Sequence, residues 1–231
     1  MPEILYEDNH IIIVNKKCGD IVQGDKTGDR TLADEVKDYI KEKYNKPGSV
    51  FLGVTHRIDR PTSGIVVFAR TSKALARLNE MFKEKTIKKT YLAVVSQMPE
   101  NQNGILTHFL QRNEKQNKSY AFDSEKKDSK IAILSYKLIG ELKKYFLLEI
   151  DLQTGRHHQI RAQLSKIGCT IKGDLKYGAA RSNTDGGIHL HAYKIQFIHP
   201  VSNLQISINA PLPNESVWQL FQQEFRNKEI K

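Results

Sequence analysis

One carboxylate has neighbours that could ready it for chemistry. In "THRIDRPTSGIVVFAR", residues 55–70, Asp59 sits between Arg57 and Arg60. Two flanking guanidiniums favour the ionised acid, and an ionised carboxylate can serve as nucleophile or base. Pro61, Thr62, Ser63 and Gly64 read as a tight turn that fixes the backbone just after it. The competing reading is an exposed Arg–Asp pair, which contributes little. On the nonapeptide alone that reading is the stronger, because structural ion pairs perturb carboxylates in the same way. A second cluster lies in "TGRHHQIRAQLSKIGCTIKGDLKYG", where Arg156, His157, His158, Gln159 and Arg161 follow a Thr-Gly turn. If all of these are helical, His157 and Arg161 stand at i,i+4 beside the apolar stripe. A half-buried arginine needs an anion, and Asp59 or a phosphate would serve. The alternative is a solvated basic helix face. Tyr91, in "KKTYLAVV", is either an ordinary strand tyrosine or an aromatic platform behind a lysine cluster, the pairing used to stack bases.

Other chemistries lack their motifs. Ser63 is not in a G-x-S-x-G elbow. No phosphate-cradling glycine loop is present, and the histidines (157–158 and the "HLH" of 189–191) lack metal-ligand spacing.

The elements that must position these residues can be read from periodicity. "ILYEDNHIIIVNKK" reads as a hairpin turning at Asp8-Asn9. Residues 31–44 read as a helix with a Thr31/Asp34 capping box, and residues 71–84 as a second helix with Leu75, Leu78 and Phe82 inward. "IVVFA" reads as a buried strand. Further strands are expected at about 90–95, 104–112, 131–140, 145–152, 188–200 and 204–210. Residues 113–130, polar and lysine-rich, read as a long loop or hairpin tip. "RHHQIRAQLSKIG" reads as a helix striped by Ile160, Leu164 and Ile167, and "NESVWQLFQQEF" as a closing helix capped by Asn214. Strands dominate and several connections are hairpin-like. The expected fold is α+β, a mixed and largely antiparallel sheet with flanking helices and an active-site cleft, in one domain over 1–231.

The totals agree with a polyanionic partner. With 36 Lys and Arg against 26 Asp and Glu, the 231-residue chain carries +10, which favours nucleic acid or an anionic surface over a neutral one. Two cysteines make no disulfide framework. The N-terminus lacks the pattern of a signal peptide, and no apolar run approaches ~18 residues. A cytoplasmic protein without a membrane span is expected, with a monomer as the default.

Taken together, "ILYEDNHIIIVNK", "HRIDRPTSGIVVFAR", "KKTYLAVV", the segment 152–178 and "LHAYKIQFIHP" resemble, in order and spacing, the RluA-type pseudouridine synthases. The resemblance implies that Asp59 is the catalytic aspartate, Tyr91 the tyrosine that packs on the target base, and Arg161 the arginine that pairs with the aspartate. It implies RNA as partner, ribosomal or transfer, with a uridine in a loop or stem-loop flipped out, cleaved from its ribose, turned and rejoined through C5. It implies neither cofactor nor metal. Whether Asp59 attacks ribose C1′ or uracil C6 stays open. Arg57 is expected to fill the gap left by the base, and His56, Arg60, Thr62, Gly155, Arg156, His158 and Gln159 to bind substrate. Two departures stand out. The hairpin begins near Ile4, which leaves no room for the N-terminal S4-type module of many relatives, and Ile58 stands where Leu is commoner. A non-catalytic RNA-binding protein on the same fold is the alternative; a carboxylate-based nucleoside hydrolase lacks a second placed acid.

Overall fold

The computed structural model describes residues 1–24 and 28–229. Along the chain run β1 (Glu3–Glu7), β2 (Ile11–Lys16), α1 (Leu32–Lys43), β3 (Gly53–Val54), β4 (Ser63–Ala69) and α2 (Ser72–Glu84). They are followed by β5 (Lys88–Val95), β6 (Asn103–Asn113), β7 (Lys118–Phe122), β8 (Lys130–Leu142), β9 (Tyr145–Leu152) and α3 (Gln159–Lys166). A 3-10 turn (Leu175–Tyr177), β10 (Leu190–Ile198), β11 (Gln205–Asn209) and α4 (Ser216–Glu229) complete the chain. This is the expected α+β class. The chain divides into two compact units, one of residues 1–89 and 192–211, the other of residues 90–191 and 212–231.

In the first unit the strand order is β1-β2-β4-β10, with β3 on β4 and β11 on β10. β2 and β4 pair antiparallel with Ile13 opposite Val67 and Ile12 opposite Phe68. Alternation then serves two cores. Ile11, Ile13, Ile65 and Val67 pack with Ala74 and Leu78 of α2, while Ile12, Val14, Val66 and Phe68 pack with Leu32, Val36 and Ile40 of α1. Helices on both faces explain why β4 is buried at every residue. α1 starts at the expected capping box: Thr31 Oγ1 accepts the Asp34 N–H, and the Asp34 carboxylate accepts the Thr31 N–H.

The second unit is an antiparallel sheet, β5-β9-β8-β6-β7. α3 packs over β6 and β7, and α4 packs on β8. Three expectations change here. The lysine-rich 113–130 segment contains a strand: β7 pairs with β6 from Lys118 opposite Asn113 to Phe122 opposite Phe109. α3 begins at Gln159, because His158 takes a left-handed conformation (φ 52°) that breaks the helix. α4 begins two residues past Asn214; the Glu215 carboxylate accepts the Val217 N–H (3.0 Å), and Asn214 bonds Gln219 instead.

Candidate active site

Asp59 opens its own turn. The Thr62 N–H donates to the Asp59 carbonyl (2.9 Å), and Ser63 and Gly64 already belong to β4. The turn therefore lies earlier than Pro61–Gly64, with the candidate carboxylate as its first residue. Gly64 is required where it stands: at φ +110° a Cβ would meet the Ala192 carbonyl oxygen at 2.4 Å.

The turn is held from beneath by Lys16, which sequence reasoning gave no role. Only 1% exposed, it donates from Nζ to the carbonyls of Lys17 (2.8 Å), Arg60 (3.0 Å) and Thr62 (2.8 Å). Burial pulls its pKa down to about 8, opposed by the negative charges of Asp20 and Asp59. All three of its donors are used on backbone oxygens. The one hint in the sequence is a lysine ending a strand that opens with four apolar residues, Ile11 to Val14.

The neighbours of Asp59 divide by exposure. Arg57 is exposed. Arg60 is exposed but tethered, Nε to the Gly19 carbonyl (3.1 Å) and Nη1 to Asp29 (3.1 Å). Thr62 is buried. His56 Nε2 accepts the Val67 N–H (3.0 Å) and its ring packs on Phe82 at 4.8 Å. Although part of its surface is open, enclosure and then the Lys89 charge push its pKa down to about 3. His56 is thus a neutral brace between its loop and β4.

The remaining candidates belong to the second unit. Tyr91 is buried opposite Ile150, in a row that continues to Tyr136 and Gly104. That is the sheet face on which Ala132 packs with Ala162 of α3, so Tyr91 and the helix carrying Arg161 share one face. Arg161, 4% exposed, is gripped by Asp174, 1% exposed: Nε to Oδ2 at 2.7 Å and Nη2 to Oδ1 at 2.9 Å. The Tyr177 ring lies 5.0 Å from its Cζ. A forked carboxylate along one edge and an aromatic ring fix the guanidinium plane. Asp174 was not singled out in the sequence, where its thirteen-residue separation from Arg161 matches no local spacing.

The loop before α3 is pinned by Gln159. Its Oε1 accepts from Thr154 Oγ1 (2.7 Å) and the Arg156 N–H (3.0 Å), and Nε2 donates to the Ile133 carbonyl (3.1 Å). Gly155 is exposed, and Arg156 Nε bonds the Ile131 carbonyl (3.0 Å). His157, expected at i,i+4 from Arg161 on the helix, lies before it and stacks on His158 at 3.8 Å. His158 is buried with Nδ1 3.0 Å from the Tyr177 hydroxyl; burial, then the charge of Arg161, lowers its pKa to about 2. Among the described residues no group of three or more His, Cys, Asp or Glu is placed to hold a metal, and no helix is long and apolar enough to cross a membrane.

In the second unit Tyr91 and the clamped Arg161 thus belong to one side of the sheet, and in the first Asp59 opens a braced turn. The sequence pattern described as RNA pseudouridylate synthase matches residues 10–166. Ribosomal large subunit pseudouridine synthase D of Zymomonas mobilis is 34% identical over 223 residues, covering 92% of this chain and 70% of that protein. tRNA pseudouridine synthase C of Vibrio parahaemolyticus is 29% identical, covering 94% and 92%. The solved structure of human RNA Pseudouridylate Synthase Domain Containing 4 superposes with a TM-score of 0.76 at 21% identity, covering 92% and 89%. The chain belongs to the RNA pseudouridylate synthase family, and its activity class is that of an isomerase.

Proposed function

We propose that this protein converts a uridine of ribosomal or transfer RNA to pseudouridine, with Asp59 as nucleophile. The observation that carries the reading is the placement of Asp59, within the stretch matched by the family pattern, as first residue of a turn that buried Lys16 holds through two carbonyls. The target base is extruded from its stack at a cost of a few kcal/mol, which phosphate contacts by a +10 chain offset. The Asp59 carboxylate attacks ribose C1′ or uracil C6. The N1–C1′ bond breaks, displaced by the attack at C1′ or following the addition at C6; the ring turns, C5 bonds to C1′, the Asp59–carbon bond breaks to free the carboxylate, N1 takes up a proton, and the C5 proton leaves to a base or to water. Atoms balance without a cofactor.

Tyr91 packs on the turning ring, and Arg161 stabilises negative charge from a plane set by Asp174. Arg57 fills the space the base vacates. Arg60, Gly155 and Arg156 meet the RNA backbone, while His56, Thr62, His158 and Gln159 serve the substrate by shaping the loops they hold. The protein is proposed to act in the cytoplasm as a monomer, both units forming one catalytic domain. The test is incubation with total RNA from a strain lacking the gene, followed by chemical-adduct primer-stop mapping of pseudouridine. New stops at one or a few uridines support the reading; none on any RNA class refutes it in favour of a non-catalytic RNA-binding protein.

A further inference from the structure

The β6–β7 hairpin is bolted to the start of α3. The Tyr177 hydroxyl accepts the Ser119 N–H (2.8 Å) and lies 3.1 Å from the Ser119 carbonyl. With its single proton on that carbonyl, His158 Nδ1 carries its own hydrogen and donates to the phenol oxygen. His157 adds two contacts, Nδ1 to Ser119 Oγ (2.9 Å) and Nε2 to Asn117 Oδ1 (3.2 Å). Lys176 crosses from the 3-10 turn, donating from Nζ to the carbonyls of Asn117 (3.0 Å) and Gln116 (3.4 Å) at the hairpin tip.

This bolting gathers cations from separate parts of the chain. Lys118 Nζ lies 5.0 Å from the centre of the Tyr177 ring and 5.4 Å from that of Tyr120. Arg112 stands opposite Ser119 in the hairpin, and Lys176 reaches its tip. The nearby acids are mostly engaged: Asp174 with Arg161 and Asp123 with Lys166 (2.8 Å). Glu114 is the one acid between Leu110 and Tyr120, against Arg112, Lys115 and Lys118. A shallow depression of about 550 Å³ is lined by Gln111, Arg112, Asn113, Glu114, Lys115 and Tyr120, and Lys118 adjoins it through the Tyr120 ring. Tyr120 is 39% exposed. Like charges held together by backbone and ring contacts favour an anion strongly, and an exposed aromatic among them suits an unpaired base.

We propose that Arg112, Lys118 and Lys176 form a subsite for the phosphates of single-stranded RNA, with Tyr120 stacking a base beside them. The proposal rests on the reading of RNA as substrate and deepens it: the bolted hairpin presents a preformed surface, and Tyr177 links that surface to Arg161. The test compares wild type, the triple variant R112A/K118A/K176A, Y120A and a charge-matched control, K41A/K73A/K83A, on the exposed helix surfaces of the first unit. Binding of a fluorescein-labelled single-stranded RNA of mixed sequence is followed by anisotropy between about 50 and 200 mM salt. Three phosphate contacts at ~0.7 each reduce the salt slope by about 2, so the affinity lost across that range shrinks roughly 15-fold. The control keeps a slope near wild type, and Y120A binds roughly 10-fold more weakly. Equal slopes in wild type and triple variant, or an equal drop in the control, overturn the subsite. If wild type forms pseudouridine while the triple variant binds and turns over normally, only the subsite falls. If wild type forms none on any RNA yet the triple variant loses binding, only the catalytic reading falls.

Discussion

Replacing Asp174 by Asn removes the charge that Arg161 is built around while keeping the side chain's shape. Both groups are almost wholly excluded from solvent, and the pair is made by two bonds of 2.7 and 2.9 Å. An amide can accept from only one of the two N–H groups, and its NH2 confronts the other. Breaking one side of a buried pair costs about 3–5 kcal/mol, because the remaining charge is left without compensation. The Tyr177 ring, 5.0 Å from the Arg161 Cζ, faces the guanidinium with or without the substitution and offsets none of this; because Asn keeps one of the two hydrogen bonds, the low end, about 3 kcal/mol, is expected. Trp218, the single tryptophan, lies in the same unit and stacks on His189 at 5.3 Å, which makes its fluorescence a local reporter of unfolding. At a urea m-value of ~2 kcal/mol per M the midpoint falls by roughly 1.5 M. The double variant R161M/D174L removes both charges and recovers much of the loss. A D174N midpoint within ~0.3 M of wild type, or a double variant destabilised by the sum of the singles, would mean that Asp174 does not compensate the Arg161 charge.

Other expectations follow from the same geometry. Gly64→Ala forces a Cβ to 2.4 Å from the Ala192 oxygen at a φ of +110°; a loss of about 3 kcal/mol or more lowers Tm by roughly 6–12 °C in a scanning melt, and an unchanged Tm counts against the stated approach. Lys16→Met leaves the Arg60 and Thr62 carbonyls without their shared donor. Hydrogen exchange at the Thr62 amide should then speed up while α1 amides stay protected; equal protection at Thr62 would mean the lysine does not brace the turn. His56 and His158 are held neutral, at about 3 and about 2, against ~6.5 in an unfolded chain. Below ~6.5 the unfolded chain binds the extra protons, so this stability is complete above that pH and declines beneath it. The slope is at most about 1.4 kcal/mol per pH unit for each histidine, and the two contribute alike between pH 5.5 and 7.5. Urea midpoints should therefore be lower at pH 5.5 than at 7.5; equal midpoints contradict the assignment.

The legible parts of this fold are those that local pattern determines. The β1–β2 hairpin, the Thr31 capping box and the apolar run of β4 depend on neighbours within a few residues. Asp59 drew notice through its arginines and its turn, although the turn begins at Asp59 itself. What was missed is tertiary. The stretch 113–130, read as a loop or hairpin tip, does hold a tip at residues 114–117, but pairing with β6 and the Ser119–Tyr177 bonds add a strand that its polar residues, without alternation, conceal. Lys16 carries a charge that composition places at the surface, and only three carbonyls from separate segments make its burial tolerable. Asp174 finds Arg161 across a loop, and the left-handed His158 that delays α3 has a residue type that conceals its φ.

The proposed nucleophile that frees and returns the uracil is the Asp59 carboxylate. Forming the C5–C1′ bond expels the hydrogen on C5, so RNA carrying tritium at uridine C5 releases it to water with each turnover. The decisive measurement compares wild type with Asp59→Asn on such RNA at equal, saturating protein, with RNA affinity determined in parallel. Wild type should release tritium to a plateau set by its target uridines, while the Asn variant binds the RNA comparably and releases none. Release by the Asn variant at a rate near wild type would contradict the account.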